Sequence, residues 1–351
     1  MKRARVAIIV LNWNRWRDTL ACLESVRQLA YPDYLTIVVD NGSWDDSVPR
    51  IKTWTAENVG KGFLLVEYTR ANALLGGEQT KEEALEITPP ASRMVLIRNE
   101  ENLGRTGGVN VAIEYALRRK YPADYVFLLD DDAKVDKECI TILVELDRQV
   151  NAGIVGGVVL DQVTSQPMYS PRGSVLQYFF APFVRSDRPP QKMESEYWIS
   201  SWVAGAAMLI RRDVLSAVYS STGRYLHPGL FMDGEELEFC HVSRRAGYKS
   251  VVTKNGIVWH KEARSHERCY NPIRHYYITR NLMLLAPDLL PLHWRVLFHL
   301  VNLPLCLARV SKMLISRKPD AARAVICGLL DGYKGVTGKW KSHDKATLGR
   351  K

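Results

Sequence analysis

The sequence has few features of a disulfide-bonded, zinc-binding or disordered protein. It contains six cysteines, and no two of them are spaced as Cys-x-x-Cys, so neither a zinc knuckle nor a disulfide framework is indicated. Scattered cysteines fit a reducing, intracellular compartment. With 351 residues, 46% of them hydrophobic, the chain is long enough for one large domain and a smaller appendage.

Long apolar runs are also missing. The run that follows the basic N-terminal residues is only about six residues long, shorter than the core of a signal peptide, and polar Asn12 and Asn14 follow it. The longest charge-free apolar stretch elsewhere extends from Val296 to Ala308, thirteen residues against the roughly twenty that a membrane-spanning helix needs. We therefore expect no transmembrane helix.

Two common functional signatures are absent as well. No GxGxxG motif follows the first apolar run, which argues against a dinucleotide-binding Rossmann domain. No serine or cysteine nucleophile motif is present either, so the sequence does not indicate covalent catalysis.

Short apolar runs alternate with amphipathic segments in the first half of the chain. VAIIVL at 6–11 and LTIVVD at 35–40 flank a segment with leucine and valine at helical spacing, and runs at 94–97 and 125–129 flank a helix predicted at about 107–120. This pattern predicts an α/β fold with a mostly parallel central sheet flanked by helices. Residues 55–92, with GKG, GGEQTKEE and TPP, are predicted to be a loop-rich insertion. The Pro-, Gly- and Tyr-rich region from Gln162 to Trp198 is long enough to be an active-site loop.

Most of the excess positive charge lies near the C-terminus. The formal net charge is +10, and from Arg309 to Lys351 eleven Lys or Arg stand against three Asp. Because an apolar stretch with Trp294 precedes this segment, the tail is typical of an interfacial membrane anchor. The alternative is a helical pair packed on the main domain. We expect no nucleic-acid partner, since no exposed aromatics are interleaved with the basic residues, and the sequence predicts no oligomeric state.

Polar residues follow the predicted strands at their carboxyl ends, the edge at which open α/β sheets bind ligands. Asn12 ends the first strand, Asp40 the second, and Asp130, Asp131 and Asp132 follow YVFLL. Three adjacent carboxylates repel one another unless a divalent cation, usually with a phosphate behind it, neutralises them. Strand alternation predicts that Asp130 and Asp132 point to the same side and share an ion. A solvated acidic turn is the alternative.

A second acidic cluster lies in FMDGEELEFC, at the start of a predicted helix. Asp233, Glu235, Glu236 and Glu238 fall within six residues. The helix dipole favours acids in a first turn, but four carboxylates exceed what a cap requires. One of them held near a metal-bound donor can act as a general base for an acceptor hydroxyl.

Two further features lie at predicted element ends. His260 ends the apolar run in GIVWHK, and imidazole suits Mn²⁺ beside carboxylates, although a lone histidine is often structural. The segment ENLGRTGGVN at 101–110 places small residues before a predicted helix, where backbone N–H groups can meet a phosphate.

Seven motifs in fixed order resemble the inverting glycosyltransferases of family 2, in particular the rhamnosyl- and galactofuranosyltransferase-like branch. The similarity covers roughly Val6 to Leu285 and rests on VAIIVLNWN, VVDNGSWDDS, NEENLGRTGGVNVAI, FLLDDDAKVD, WVAGAAMLIRRDVL, LFMDGEELEFCHVSRRAGYK and VWHK.

The resemblance implies a GT-A fold over residues 1–285, followed by a basic amphipathic helical tail at 286–351. It implies transfer of a sugar from a UDP- or dTDP-linked donor to a hydroxyl of a glycan or lipid-linked acceptor, with Mn²⁺ or Mg²⁺ as cofactor. The expected location is cytoplasmic, peripheral at the inner face of the cell membrane. A nucleotidyltransferase and a catalytically silent nucleotide-sugar-binding subunit are the alternatives.

The same resemblance implies a role for each site residue. Glu236 falls where the family carries its catalytic base, usually Asp. Asp130, Asp132 and His260 are the implied metal ligands. The other implied contacts are Asn12, Asp40, Asn102, Gly104, Asp131 and Arg280 toward the donor, and Trp202 and Glu238 toward the acceptor.

Overall fold

The computed structural model describes residues 4–57, 62–168, 174–180, 195–261 and 271–341. Within these ranges the strands are β1 (Val6–Asn12), β2 (Tyr34–Asn41), β3 (Leu64–Thr69), β4 (Arg93–Asn99), β5 (Tyr125–Asp130), β6 (Ala133–Val135), β7 (Gly153–Asp161), β8 (Tyr197–Ile199), β9 (Met208–Arg211) and β10 (Lys249–His260). They form one sheet in the order β3-β4-β2-β1-β5-β9-β7-β10-β6, with β8 paired to β10.

Helices cover both faces of this sheet. In the described ranges they are α1 (Trp16–Arg27), α2 (Ser47–Glu57), α3 (Arg70–Leu74), α4 (Gln79–Ile87), α5 (Gly104–Arg118), α6 (Cys139–Val150), α7 (Val175–Phe179), α8 (Arg212–Thr222), α9 (Glu235–Arg245), α10 (Pro272–Leu289), α11 (Leu292–Ile315) and α12 (Pro319–Tyr333). Strands β3, β4, β2, β1 and β5 run parallel, whereas β9 is antiparallel to its neighbours. The predicted α/β class and mostly parallel sheet are confirmed.

The two faces of the sheet carry separate cores because successive strand side chains point in opposite directions. In β1, Ala7 and Ile9 belong to the core that contains α5, while Ile8 and Val10 belong to the core beneath α1 and α6. Burial on both faces explains why the central strands are continuous apolar runs rather than alternating ones.

The prediction of a loop-rich insertion at residues 55–92 is wrong. This stretch contains the end of α2, the edge strand β3 and helices α3 and α4. Val66, Tyr68 and Leu85 are buried in the main core. Gly76 and Gly77 form the turn between α3 and α4, and β3 is stabilised by pairing with β4 rather than by its own length.

The C-terminal helices include one long apolar helix. Among the described residues, α11 has 24 residues and is apolar enough, by length and composition, to cross a membrane. The charge-free run from Val296 to Ala308 ends at flanking charges, but the helix continues through Arg295, Arg309 and Lys312. The expected boundary between residues 285 and 286 lies inside α10.

Some predicted features lie outside the described residues. They are residues 169–173 and 181–194 of the predicted active-site loop, and residues 342–351 of the basic tail.

Candidate active site

The parallel strands bring the predicted polar residues to one edge of the sheet. Asn12 in β1 is paired with Asp40 in β2, and Leu11 with Asp130 in β5. His260 ends β10, opposite Ala133 of β6. Residues far apart in the sequence therefore meet because their strands end at the same edge.

Asp130, Asp132 and His260 converge on one point. His260 Nε2 lies 2.8 Å from Asp132 Oδ1 and 3.3 Å from Asp130 Oδ2. One candidate ligand atom from each residue lies within 4.8 Å of the others. Two carboxylates and one imidazole form a donor set that suits Mn²⁺, so the three residues fit a divalent cation.

The close approach of these charged groups shifts the pKa values of His260 and Asp130. Burial opposes a charged imidazole, but the hydrogen bonds to Asp130 and Asp132 outweigh it and raise the pKa of His260 to about 10. Burial also opposes ionisation of Asp130, yet Arg105 and His260 together lower its pKa. The proton on His260 lies between the two carboxylates, where a divalent cation can also bind. The proton and the cation would each neutralise the same negative charge.

Asp131 points toward another cation, Arg15. The guanidinium of Arg15 lies 3.4 Å from Asp131 Oδ1 and 3.0 Å from Asp132 Oδ2. Burial raises the pKa of Asp131 to about 8 despite the lowering effect of Arg15. The predicted separation of Asp131 from the Asp130–Asp132 pair is present, although β5 ends at Asp130 and a turn carries the other two residues.

Arg105 connects the aspartate cluster to the second acidic cluster. Its guanidinium lies 3.1 Å from Asp130 Oδ1, 2.8 Å from Glu235 Oε1 and 3.4 Å from Glu236 Oε1. Arg105 lies in the first turn of α5 and is largely buried. One side chain therefore links a candidate metal ligand and the candidate base.

Glu236 is poised for proton transfer near neutral pH. Burial and the neighbouring carboxylate of Glu235 raise the pKa of Glu236 to about 7, against the lowering effect of Arg105. Its side chain retains 22% exposure, so an approaching hydroxyl can reach it. Gly205 allows this arrangement, since a Cβ at that position would collide with the ends of Arg105 and Glu236.

Asn12 and Asp40 form one buried hydrogen-bond network. The Asn12 amide donates to Asp40 Oδ1 at 2.8 Å and to the Ser43 hydroxyl at 3.1 Å, while its oxygen accepts from Thr19 at 2.8 Å. The backbone N–H of Ser43 donates to Asp40 Oδ2 at 3.2 Å. These bonds hold the loop after β2 beside the first strand.

Asn102 and Gly104 shape the start of α5. The side-chain oxygen of Asn102 accepts from the Gly104 N–H at 2.8 Å and from the Asn41 amide at 3.0 Å. Gly104 has a φ of +74°, and a Cβ there would lie 2.6 Å from the Phe231 ring and would overlap the Phe231 carbonyl oxygen. Glycine is required here by backbone conformation and by close approach together.

The structure contradicts the predicted contact between Arg280 and the nucleotide-sugar donor. Arg280 is fully buried in α10, and its guanidinium donates to the carbonyl oxygens of Gly229, Leu230 and Gly338. Its guanidinium therefore holds the loop before α9 through backbone carbonyl groups, and its full burial leaves no exposed surface for a donor phosphate. The YYITRN motif shows a basic side chain but not the carbonyl groups that surround it.

The two predicted acceptor residues lie near α9. Glu238 is buried, and its carboxylate forms an ion pair with Arg224 at 2.8 Å, which compensates its negative charge. Trp202 is half-buried and packs against the main core and against the cluster that α10 and α11 form. Trp202 therefore lies where the catalytic domain meets its helical appendage.

Comparison with known proteins relates part of this chain to a family. The family model "Glycosyl transferase family 2" matches residues 77–218, which include the Asp130–Asp132 cluster. The low-salt glycan biosynthesis hexosyltransferase Agl10 of Haloferax volcanii is 24% identical over 243 residues, which cover 68% of this chain and 75% of that protein. Over residues 77–218 the chain is therefore similar to glycosyl transferase family 2.

Solved structures of two transferases are similar to this chain in fold. The mannosyltransferase PcManGT from Pyrobaculum calidifontis, in complex with GDP-Man and Mn²⁺, has a TM-score of 0.56 at 15% identity and covers 95% of this chain and 88% of its own. S. aureus TarS 1-349 in complex with UDP-GlcNAc has a TM-score of 0.50 at 13% identity, covering 95% and 81%. The predicted GT-A fold is confirmed.

Two arginines of this site were not identified from the sequence. Arg15 and Arg105 each contact two or more of the site carboxylates. Arg15 directly follows the quoted motif VAIIVLNWN, and Arg105 lies within NEENLGRTGGVNVAI. An excess of carboxylates at one sheet edge was the available signal, because buried acids in proteins are paired with cations.

Proposed function

We propose that the chain is a metal-dependent, inverting glycosyltransferase that moves a sugar from a nucleoside-diphosphate donor to a hydroxyl of a glycan or lipid-linked acceptor. The observation that carries this proposal is one continuous charged network. It extends from Asp130, Asp132 and His260, through Arg105, to Glu236. A cation site and a candidate base are thus joined at the edge of the sheet where α/β proteins bind ligands.

The relatives support a nucleotide-sugar donor and a divalent ion. One related structure contains GDP-Man with Mn²⁺ and another contains UDP-GlcNAc, and the residues in this chain fit Mn²⁺ or Mg²⁺ by their donor atoms. We propose a UDP- or dTDP-linked donor, with Asn12, Asp40, Asn102, Gly104 and Asp131 on its side of the site. Trp202 and Glu238 are proposed to face the acceptor.

The chemistry needs a base and charge stabilisation. A bound divalent cation supplies neutralisation of the charge on the departing diphosphate. Glu236 accepts the proton of the acceptor hydroxyl while that oxygen bonds to the anomeric carbon, and the bond from this carbon to the donor phosphate breaks with its electron pair moving to the diphosphate. A single displacement inverts the anomeric configuration and needs no covalent nucleophile.

The proposed location is cytoplasmic. All five cysteines in the described ranges are free, and four of them are buried. Free buried thiols are expected in a reducing compartment.

The test is a turnover assay. Purified protein with Mn²⁺ is incubated with a panel of nucleotide sugars, and release of nucleoside diphosphate is measured with and without candidate acceptors. We expect one donor to be hydrolysed slowly or transferred, and Glu236→Gln and Asp132→Asn each to lower the rate by about 100-fold or more while a cooperative thermal transition shows that each variant is folded.

The controls distinguish the alternatives. Arg118→Gln, which removes an exposed ion pair with Glu114 in α5, should keep full activity. Release of pyrophosphate would identify a nucleotidyltransferase instead. Metal-dependent nucleotide binding without turnover would indicate a silent binding subunit, and a fully active Glu236→Gln protein would remove Glu236 from the mechanism.

A further inference from the structure

Helix α11 carries an uncovered apolar stripe along its whole length. Its exposed members recur every three or four residues and therefore share one side of the helix. They are Leu292, Val296, Leu300, Leu303 and Leu307, followed two turns later by Leu314, each between 44% and 71% exposed, with Ile315 at 83% at the helix end. Aliphatic side chains scattered singly are ordinary on a surface, but a continuous stripe marks an interaction site.

The face of α11 that carries the stripe is free of charge. Pro304, Ala308 and Ser311 share that side and are exposed and uncharged. On α12, Ile326 and Leu330 are also exposed, at 45% and 52%. The Tyr333 hydroxyl lies 3.0 Å from His299 Nδ1, which connects the two helices. The two helices are therefore in contact, and each carries exposed apolar residues.

Basic residues border this surface. Lys312, Arg317 and Arg323 are exposed, and Arg323 lies three and seven residues before Ile326 and Leu330, on the same side of α12. From residue 309 onward the described chain contains eight Lys or Arg and two Asp. An apolar stripe bordered by cations is complementary to an anionic lipid surface, with acyl chains for the leucines and headgroups for the charges.

The opposite face of α11 holds it against the protein. Phe298 is fully buried, with its ring 5.2 Å from Phe179 and 6.2 Å from Phe180. Asn302 on the same face is also buried. If α11 crossed a bilayer, these contacts with the rest of the protein would be lost.

We propose that α11 and α12 form a monotopic membrane-binding surface, with α11 lying in the plane of an anionic bilayer. This surface is separate from the proposed sugar transfer and does not depend on it. Binding draws on apolar burial and on electrostatic attraction together, so both halves are testable.

The experiment is co-flotation of the full chain with phosphatidylcholine vesicles that either contain or lack phosphatidylglycerol. We expect binding to the anionic vesicles that weakens as salt rises. Leu300→Gln with Leu307→Gln should reduce the partition coefficient at least about tenfold, because two leucines no longer enter the bilayer. Lys312→Gln, Arg317→Gln and Arg323→Gln together should remove the preference for anionic lipid.

The matched control is Leu75→Gln with Ile87→Gln, which replaces two aliphatic residues that are 79% and 87% exposed outside the surface. It should bind as the unaltered protein does, and all variants should keep the same thermal midpoint. Equal binding by the Leu300/Leu307 variant would overturn the proposal. So would resistance to alkaline extraction, which indicates a spanning helix, or a dimer in solution that the same variant dissociates.

Discussion

Arg105 is the residue on which the electrostatics of the site depend most directly. It lies between Asp130 on one side and Glu235 and Glu236 on the other, within 3.4 Å of each. Such a cation does two things. It compensates carboxylates that are otherwise costly to bury, and it holds the pKa of Glu236 lower than burial and Glu235 alone would leave it.

The pH dependence of activity follows from this position. A base must be deprotonated to work, and the pKa of Glu236 is about 7, so kcat should rise as pH increases through about 7. Arg105→Gln removes the influence that lowers this pKa. The acid limb of the pH–rate profile should therefore move to higher pH, with a lower kcat. The measurement is kcat against pH for both proteins.

Stability supplies an independent check on the same carboxyl group. A buried acid with a raised pKa stabilises the folded protein below the pKa of the unfolded state and loses that contribution as pH rises through about 7. The glutamine of Glu236→Gln does not titrate, so the thermal midpoint of this variant should rise relative to that of the unaltered protein as pH increases over this interval.

For the pH–rate prediction, an Arg105→Gln profile whose acid limb stays at the same pH would show that Arg105 is merely structural.

Gly104 shows at the level of an element how the sequence positions the site. It begins α5, has a φ of +74° and touches Phe231 in the loop that leads to α9. Gly104→Ala should lower the free energy of unfolding by about 2 kcal/mol or more, because backbone strain and overpacking add. Gly223→Ala is the control, since Gly223 has a similar φ of +71° with nothing within 4 Å of a Cβ. Its cost should be about 1 kcal/mol by denaturant unfolding.

Equal losses at Gly104 and Gly223 would contradict a close approach between α5 and the Phe231 loop. A larger loss at Gly104, accompanied by lower activity, would connect the start of α5 to the position of Arg105. The two measurements separate conformational strain from crowding because only one site has a neighbour.

Elements with long apolar runs could be predicted from the sequence, whereas short ones could not. β1, β2, β4 and β5 were predicted because burial on both faces leaves a continuous β-branched pattern. β3 was hidden by the turn residues around LLVEYT. β6 and β8 have three residues each, too few for a periodic signal, and depend on pairing with β10.

Site residues at the ends of strands could be placed from the sequence, because the strands fix their position. Residues whose position depends on side-chain partners could not. Asp130, Asp132 and His260 meet because β5 and β10 end at the same edge. Arg280 instead turns to backbone carbonyls that no periodic pattern reveals. The charge-free run from Val296 to Ala308 is shorter than α11 because helix formation does not stop at charges that can remain at its polar face.

At the scale of the whole molecule, the helical appendage contacts the site through the loop before α9. Arg280 and Asn281 of α10 donate to the carbonyl groups of residues 229–233, immediately before α9 and Glu236. α12 packs closely on α10, since a Cβ on Gly328 would lie 2.5 Å from the Tyr276 carbonyl oxygen. The appendage therefore supports the loop that presents the candidate base, in addition to carrying the proposed membrane surface.

The central claim is that Asp130, Asp132 and His260 bind one divalent ion beside Glu236. It is tested most directly by anomalous diffraction from crystals of the protein grown with Mn²⁺ and a nucleoside diphosphate. The account predicts a single manganese peak within coordination distance of all three side chains, and its loss in Asp132→Asn. A peak bound by other residues only, or none at this edge of the sheet while the nucleotide is bound, would contradict it.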